Sequence, residues 1–272
     1  MDPKKAVKWA SVETSALNKK ILIDGNQIYW EKFGQGPQVV LCIAGVLGDV
    51  KSCFHPVWEK MDVEFFTFIG MDLPGYGYSR PPDRDYSDPD TYNNDAKVAM
   101  ELMKELGYTK FSLLTHSGGG IVATILASSF PEAVDKVIYC NAPFHVDEKF
   151  FMGARAISDL DKWDSIQRSY LLHRYGGKDY PTKVLKSWVG LVERLFRSNE
   201  HLENLKEKLG NMRAEALFIT GLRDRIIPEN TALEMQKCNP RLRIQKVRKG
   251  LHSHLSFLDE FVEVSQDFLT ED

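Results

Sequence analysis

No stretch of the 272-residue chain reaches the roughly 18 consecutive apolar residues that a membrane-crossing helix needs, and the first residues, MDPKKAVKWASVETS, have no apolar core of the kind a secretory leader carries. Neither a membrane partner nor export is expected, and the chain reads as cytoplasmic. Cysteine is scarce. Cys42, Cys53, Cys140 and Cys238 are scattered without a C-x-x-C pair, which argues against a disulfide framework and a thiolate metal site and points to reduced thiols. Cys140 ends a strand-like run, but no base accompanies it locally. Charge of one sign is also lacking: 35 basic and 38 acidic residues leave a net charge of −3, so no strong field steers nucleic acid or an anionic surface to the protein. The expected partner is a small, neutral or modestly charged molecule, and the expected assembly is a monomer or weak homo-oligomer. Internal repeats and low-complexity tracts are absent as well.

What is present is 43% hydrophobic residues in a chain long enough to bury a full core, which fits one large α/β domain with an insertion better than two independent domains. The chain is organised around residues 111–127, FSLLTHSGGGIVATILA: an apolar run, a serine among small residues, then a helical pattern. Read as strand, sharp turn and helix, this stretch projects the Ser117 hydroxyl above the end of a sheet, provided that its neighbours let the backbone double back closely. Gly118, Gly119 and Gly120 meet that need. Thr115 takes the place of the first glycine of a G-x-S-x-G turn. A glycine-rich turn that only lets a helix pack on a sheet is the bland alternative. A phosphate-binding loop fits poorly, because neither the G-x-G-x-x-G spacing nor a Walker lysine is there.

Around this stretch the pattern is that of alternating strands and helices. Residues 20–33, KILIDGNQIYWEKF, alternate about Asp24-Gly25-Asn26 and predict an edge hairpin. QVVLCIA (38–44), FFTFIGM (65–71), KVIYC (136–140) and AEALFIT (214–220) are continuous apolar runs, as in strands covered on both faces. RLRIQKV (241–247) predicts a last strand. Residues 92–106 carry a helical apolar face that Asp90 or Thr91 is placed to cap. The expected fold class is therefore α/β, a mostly parallel central sheet with helices on both faces and its ligand site at the carboxyl ends of the strands. From 142 to 212 the texture changes to aromatic residues among charges at helical spacing, among them Phe150, Phe151, Trp163, Tyr170, Tyr175, Tyr180, Trp188 and Phe196. This predicts an inserted helical cap over a core formed by 1–141 and 213–272, with each cap aromatic either facing the substrate or packing within the cap.

Three candidates for chemistry lie just past predicted strands. Ser117 is followed by Asp224 in the turn GLRDRIIP and by His252 in KGLHSH, and the order serine, acid, histidine is that of the α/β-hydrolase triad. Asp224 has competing explanations in turn formation or an ion pair with Arg223 or Arg225. His254 is the rival base. Gly45-Val46-Leu47-Gly48, after the 38–44 run, is placed to offer the Val46 amide beside that of Gly118 to an oxyanion. The 72–82 loop, DLPGYGYSRPP, is expected to be scaffolding.

At this point the sequence resembles α/β-hydrolases of the valacyclovir hydrolase type, also called biphenyl hydrolase-like proteins. The passages that carry the resemblance are MDLPGYGYSRPPDRDY, NDAKVAMELMKELGYTKFSLL, AISDLDKW with KSWVGL, and GLHSHL. It implies a capped hydrolase fold with Ser117 as nucleophile, Asp224 as acid and His252 as base, acting on a small carboxylic ester with no metal or organic cofactor. Two departures stand out: Thr115 replaces the elbow's first glycine, and Gly118 stands where a member of the family carries an aspartate that holds the ammonium group of amino-acid esters. Amino-ester specificity is therefore doubtful unless Asp49, Asp147 or another acid takes over. Two other readings remain open, a non-catalytic ligand- or partner-binding protein and a hydrolase of an amide, thioester, lactone or carbon–carbon bond.

Overall fold

A computed structural model describes residues 19–198 and 204–271. The segment 1–18, read above for a leader, lies outside the described residues. Strands β1 (Lys20–Ile23) and β2 (Asn26–Gly34) pair antiparallel across Asp24 and Gly25, at φ 50° and 79°. Two successive left-handed residues give the hairpin a turn whose twist matches that of its strands. Six further strands follow: β3 (Gln38–Ile43), β4 (Phe66–Met71), β5 (Phe111–His116), β6 (Val134–Cys140), β7 (Glu215–Gly221) and β8 (Arg243–Val247). The sheet order is β1-β2-β4-β3-β5-β6-β7-β8, antiparallel up to the β2–β4 pair and parallel from β4 onward.

Continuous apolar runs become two-sided strands because alternate side chains leave opposite faces. Leu41, Ile43, Leu113, Val137 and Phe218 enter one core, whereas Val40, Cys42, Leu114, Ile138 and Ile219 enter the other. The helices, in chain order, are α1 (Val50–Cys53), α2 (His55–Trp58), α3 (Thr91–Glu105), α4 (Gly119–Ser129), α5 (Glu148–Ile157), α6 (Ser165–Tyr175), α7 (Asp179–Ser198), α8 (Leu205–Asn211), α9 (Thr231–Cys238) and α10 (Leu258–Thr270). Residues of α1, α2 and α10 fill the second core, while α3, α4, α8 and α9 contribute to the first. Asp90 occupies the cap position of α3 without using its side chain, and Thr91 Oγ1 instead donates to the carbonyls of Asp85 and Asp88.

Helices α5, α6 and α7 fall within the expected insertion. Helix α8 also lies inside 142–212, but it packs on α4 and α9, and Asn239 Nδ2 donates to the Leu209 carbonyl at 3.3 Å. The 72–82 loop is knitted to its surroundings: the Asp72 carboxylate accepts from Val50 N and Tyr78 N, both at 2.8 Å, and Ser79 Oγ donates to the Asp72 carbonyl at 2.6 Å. Just beyond it, Arg84 and Asp95 form a buried bidentate pair at 2.7 and 2.6 Å, tying this segment to α3.

Candidate active site

The turn from β5 into α4 places Ser117 at φ 52°, a left-handed conformation that is uncommon for a residue with a side chain. Its amide donates to the Cys140 carbonyl at 2.9 Å, and its carbonyl accepts from Gly120 N at 2.9 Å, so the strained residue is held from both sides. The tightness explains the small neighbours. A β-carbon on Gly45 would sit 2.7 Å from Ser117 Cβ, and one on Gly119 would sit 2.2 Å from the Ile43 carbonyl oxygen. Gly118 is different, because a β-carbon there meets nothing nearer than 3.7 Å. Thr115 is fully buried, and its hydroxyl donates to the Ile138 carbonyl at 2.8 Å. The residue that replaces the elbow's first glycine is thus absorbed into the β5–β6 pair.

Ser117, Asp224 and His252 come together from the ends of β5, β7 and β8. His252 Nε2 lies 3.1 Å from Ser117 Oγ, and His252 Nδ1 lies 2.8 Å from Asp224 Oδ2. The other carboxylate oxygen of Asp224 accepts from Ile226 N at 2.7 Å and Ile227 N at 3.1 Å. One oxygen is therefore fixed by backbone and the other is left to orient the imidazole. The Asp224 side chain is 1% exposed and that of His252 is 22% exposed, so the carboxylate is sealed in while the imidazole stays accessible. Neither Arg223 nor Arg225 makes an ion pair with Asp224 among the described residues.

His254 points elsewhere. Its Nε2 lies 2.7 Å from the Cys53 carbonyl oxygen, and burial holds its pKa down to about 4, so it stays neutral and occupied beneath the site. The Gly45–Gly48 turn, closed by Gly48 N donating to the Gly45 carbonyl at 3.0 Å, sets Val46 N 3.8 Å from the point where a Gly118 β-carbon would be. Among the described residues neither Val46 N nor Gly118 N donates to a backbone carbonyl. Two such adjacent amides are what an oxyanion requires. Cys140 lies buried at the end of β6, and desolvation drives its thiol well above the ordinary value, which disfavours the thiolate a nucleophile needs.

The alternative acids are already engaged. Asp49 accepts from Ser52 N at 2.7 Å, from the Tyr170 hydroxyl at 2.9 and 2.8 Å, and from Arg174 Nε at 3.1 Å. Asp147 caps α5 by accepting from Phe150 N at 2.8 Å. Most of the cap aromatics pack on one another or tie the cap down: Phe150 meets Trp188, Phe151 stacks on Phe196, Tyr175 contacts Tyr180, and Trp163 Nε1 donates to the Ile157 carbonyl.

Comparison with known proteins gives the family. A family model described as the alpha/beta hydrolase fold matches residues 38–157. Serine hydrolase BPHL of Homo sapiens is 33% identical over 261 residues, covering 96% of this chain and 89% of the relative, and its Mus musculus counterpart is 32% identical over the same span. The chain is a biphenyl hydrolase-like member of the α/β-hydrolases. The enol-lactonase from Burkholderia xenovorans LB400 superposes on this hydrolase with a TM-score of 0.74 at 17% identity, covering 93% of this chain and 100% of that one. A point mutant of the meta-cleavage product hydrolase CumD also superposes at 0.74, with 18% identity and coverage of 93% and 98%. At such identities these two structures bear on the fold alone.

Two contacts near the site have no counterpart in the sequence reading. His116 Nε2 lies 3.0 Å from the His252 carbonyl oxygen, and Asn141, at φ 46°, reaches the same carbonyl at 2.8 Å. An asparagine just past a strand end is a weak signal of a left-handed residue, and nothing in the sequence says which loop it meets.

Proposed function

We propose that this hydrolase cleaves small carboxylic esters through Ser117, His252 and Asp224 by way of an acyl-enzyme. The observation that carries the reading is the pair of contacts on one imidazole, Ser117 Oγ at 3.1 Å from Nε2 and Asp224 Oδ2 at 2.8 Å from Nδ1. With Nδ1–H bonded to the carboxylate, Nε2 is left as the acceptor for the serine proton. His252 takes that proton as Ser117 Oγ attacks the ester carbonyl, then returns it to the departing alcohol. Water repeats the attack on the acyl-enzyme with His252 again the base. The Val46 and Gly118 amides receive the developing negative charge, a contribution of about 3–4 kcal/mol per donor in sites of this kind.

Thr115 is bonded into the strand and the Ser117–His252 distance is short, which supports turnover over a silent binding fold. Gly118 supplies no carboxylate, and Asp49 and Asp147 are spent on structural bonds, so esters without an α-ammonium group are the favoured class. The four free cysteines support a reducing, cytoplasmic setting. The test is a panel of short acyl esters, α-amino esters, amides, thioesters and lactones, assayed with wild type and Ser117→Ala. Turnover of simple esters that vanishes in the variant upholds the proposal. Turnover confined to another bond type overturns the ester assignment, and none at all overturns catalysis.

A further inference from the structure

His252 sits in an irregular segment between β8 and the 3-10 turn His254–Phe257, so no regular backbone ladder holds it. A base that has to meet Ser117 within a few tenths of an ångström needs some other support. We propose that Asn141 and His116 are positioning residues that clamp the main chain of the base: the Asn141 amide bridges the acid-bearing and base-bearing loops, and His116 ties the base to the nucleophile's own strand. The proposal rests on the reading of His252 as general base.

The geometry is specific. Asn141 Nδ2 donates to two successive carbonyls, Leu251 at 2.9 Å and His252 at 2.8 Å, while its Oδ1 accepts from Gly221 N at 2.9 Å. Gly221 ends β7, and its carbonyl accepts from Asp224 N at 3.0 Å, so one buried amide joins the turn that carries the acid to the loop that carries the base. The left-handed backbone of Asn141, which asparagine tolerates better than most residues, bends the chain after β6 so that its side chain drops between them. Its amide donates to the Ile219 carbonyl at 3.0 Å, fixing the bend. Aspartate at this place keeps the acceptor and loses both donors; leucine loses all three contacts. His116, the residue before Ser117, supplies the second grip on the His252 carbonyl at 3.0 Å, which requires a proton on Nε2. Desolvation, followed by the neighbouring His254 and His252, holds His116 well below its ordinary pKa, so it acts as a neutral donor.

The test compares Asn141→Ala, Asn141→Asp, His116→Phe and His116→Gln with wild type and His252→Ala, using an ester that the wild type hydrolyses. Expected are a kcat at least tenfold lower with KM within threefold for Asn141→Ala, Asn141→Asp and His116→Phe, and recovery of most of that loss in His116→Gln, whose amide can still donate. Asn141→Ala combined with His116→Phe is expected to cost less than the product of the two single losses, because both act on one carbonyl. A kcat within twofold of wild type in the three donor-deleting variants, even with lowered thermal stability, would reduce the two residues to packing and overturn the proposal. If Asn141→Ala does not fold, His116→Phe carries the comparison, since it leaves the turn after β6 untouched. The proton NMR signal of His252 Nδ1–H, identified by its loss in His252→Ala, separates this inference from the functional reading. Loss of the signal in Asn141→Ala or His116→Phe upholds the clamp even in a protein that turns over no ester, and an unchanged signal overturns it.

Discussion

The strand ends that carry Ser117, Asp224 and His252 and the helices α5–α7 are attached to the rest of the molecule in different ways. Main-chain atoms are the points of attachment at Ser117, Asp224 and His252: Ser117 N donates to the Cys140 carbonyl, Asp224 Oδ1 accepts from two amides, and the His252 carbonyl accepts from the Asn141 and His116 side chains. Helices α6 and α7 reach their neighbours through polar side chains. Tyr175 hydroxyl accepts from Gly77 N at 2.9 Å, Tyr180 hydroxyl accepts from Arg84 N at 2.9 Å and donates to the Gly75 carbonyl at 2.5 Å, and Tyr170 and Arg174 reach Asp49. The 72–82 loop therefore does more than support the site, since α6 and α7 dock onto it and its continuation. The attachments of Ser117 and Asp224 use main-chain atoms of their neighbours, whereas the polar ties of α6 and α7 use hydroxyls and a guanidinium, beside apolar side chains such as Val184, Leu185 and Trp188 that pack into the first core.

Substitutions separate the two regions. Ser117→Ala or His252→Ala is expected to lower kcat by about 10⁴-fold or more with little change in melting temperature, because each removes chemistry and little packing. A steady-state ester assay beside a thermal melt checks both halves. Arg174→Ala reverses the balance. It leaves the 2%-exposed Asp49 side chain without its cation, and removing one partner of a buried pair costs about 3–5 kcal/mol. Because the pair joins the cap to α1, the loss is expected in denaturant unfolding and in hydrogen exchange of α6 and α7, with a raised KM.

Acid is expected to weaken the core from below the site. His254 is held at about 4 in the folded protein against an ordinary 6.5, so between those pH values the unfolded chain binds more protons and stability falls as pH falls. At pH 5 the difference amounts to about 2 kcal/mol relative to pH 7.5, and His116, shifted in the same direction, adds to it. Urea unfolding at the two pH values, repeated on His254→Gln, checks the sign and the residue. The smallest effect sharpens the substrate side: at Gly118 a new β-carbon meets nothing closer than 3.7 Å, so Gly118→Asp begins without a clash. Relative kcat/KM for an α-amino ester over its des-amino analogue is expected to rise roughly tenfold, the worth of one modest charge-assisted contact.

Much of the core could be read from sequence because its signals are local. Strand runs, the Asp24-Gly25 turn and the T-H-S-G-G elbow each declare themselves within a few residues, and the serine, acid and histidine each follow a strand whose end is predictable. The contact that tells His254 from His252 is not local: His254 turns toward the Cys53 carbonyl, 201 residues away in sequence. Asn141 was invisible for the same reason, as its partners lie 80 and 111 residues distant. The 142–212 segment yielded its helices but not their contacts. Helical spacing marks an apolar face without saying whether Phe151 meets substrate or Phe196, and nothing in the pattern sets α8 against α4 and α9.

The central claim is that Ser117 is an activated nucleophile, and intact mass after exposure to a fluorophosphonate tests it most directly. The geometry predicts a single adduct on the wild type, none on Ser117→Ala, and a much slower reaction on His252→Ala. A folded wild-type protein that takes no adduct, or an adduct that persists in Ser117→Ala, would contradict it.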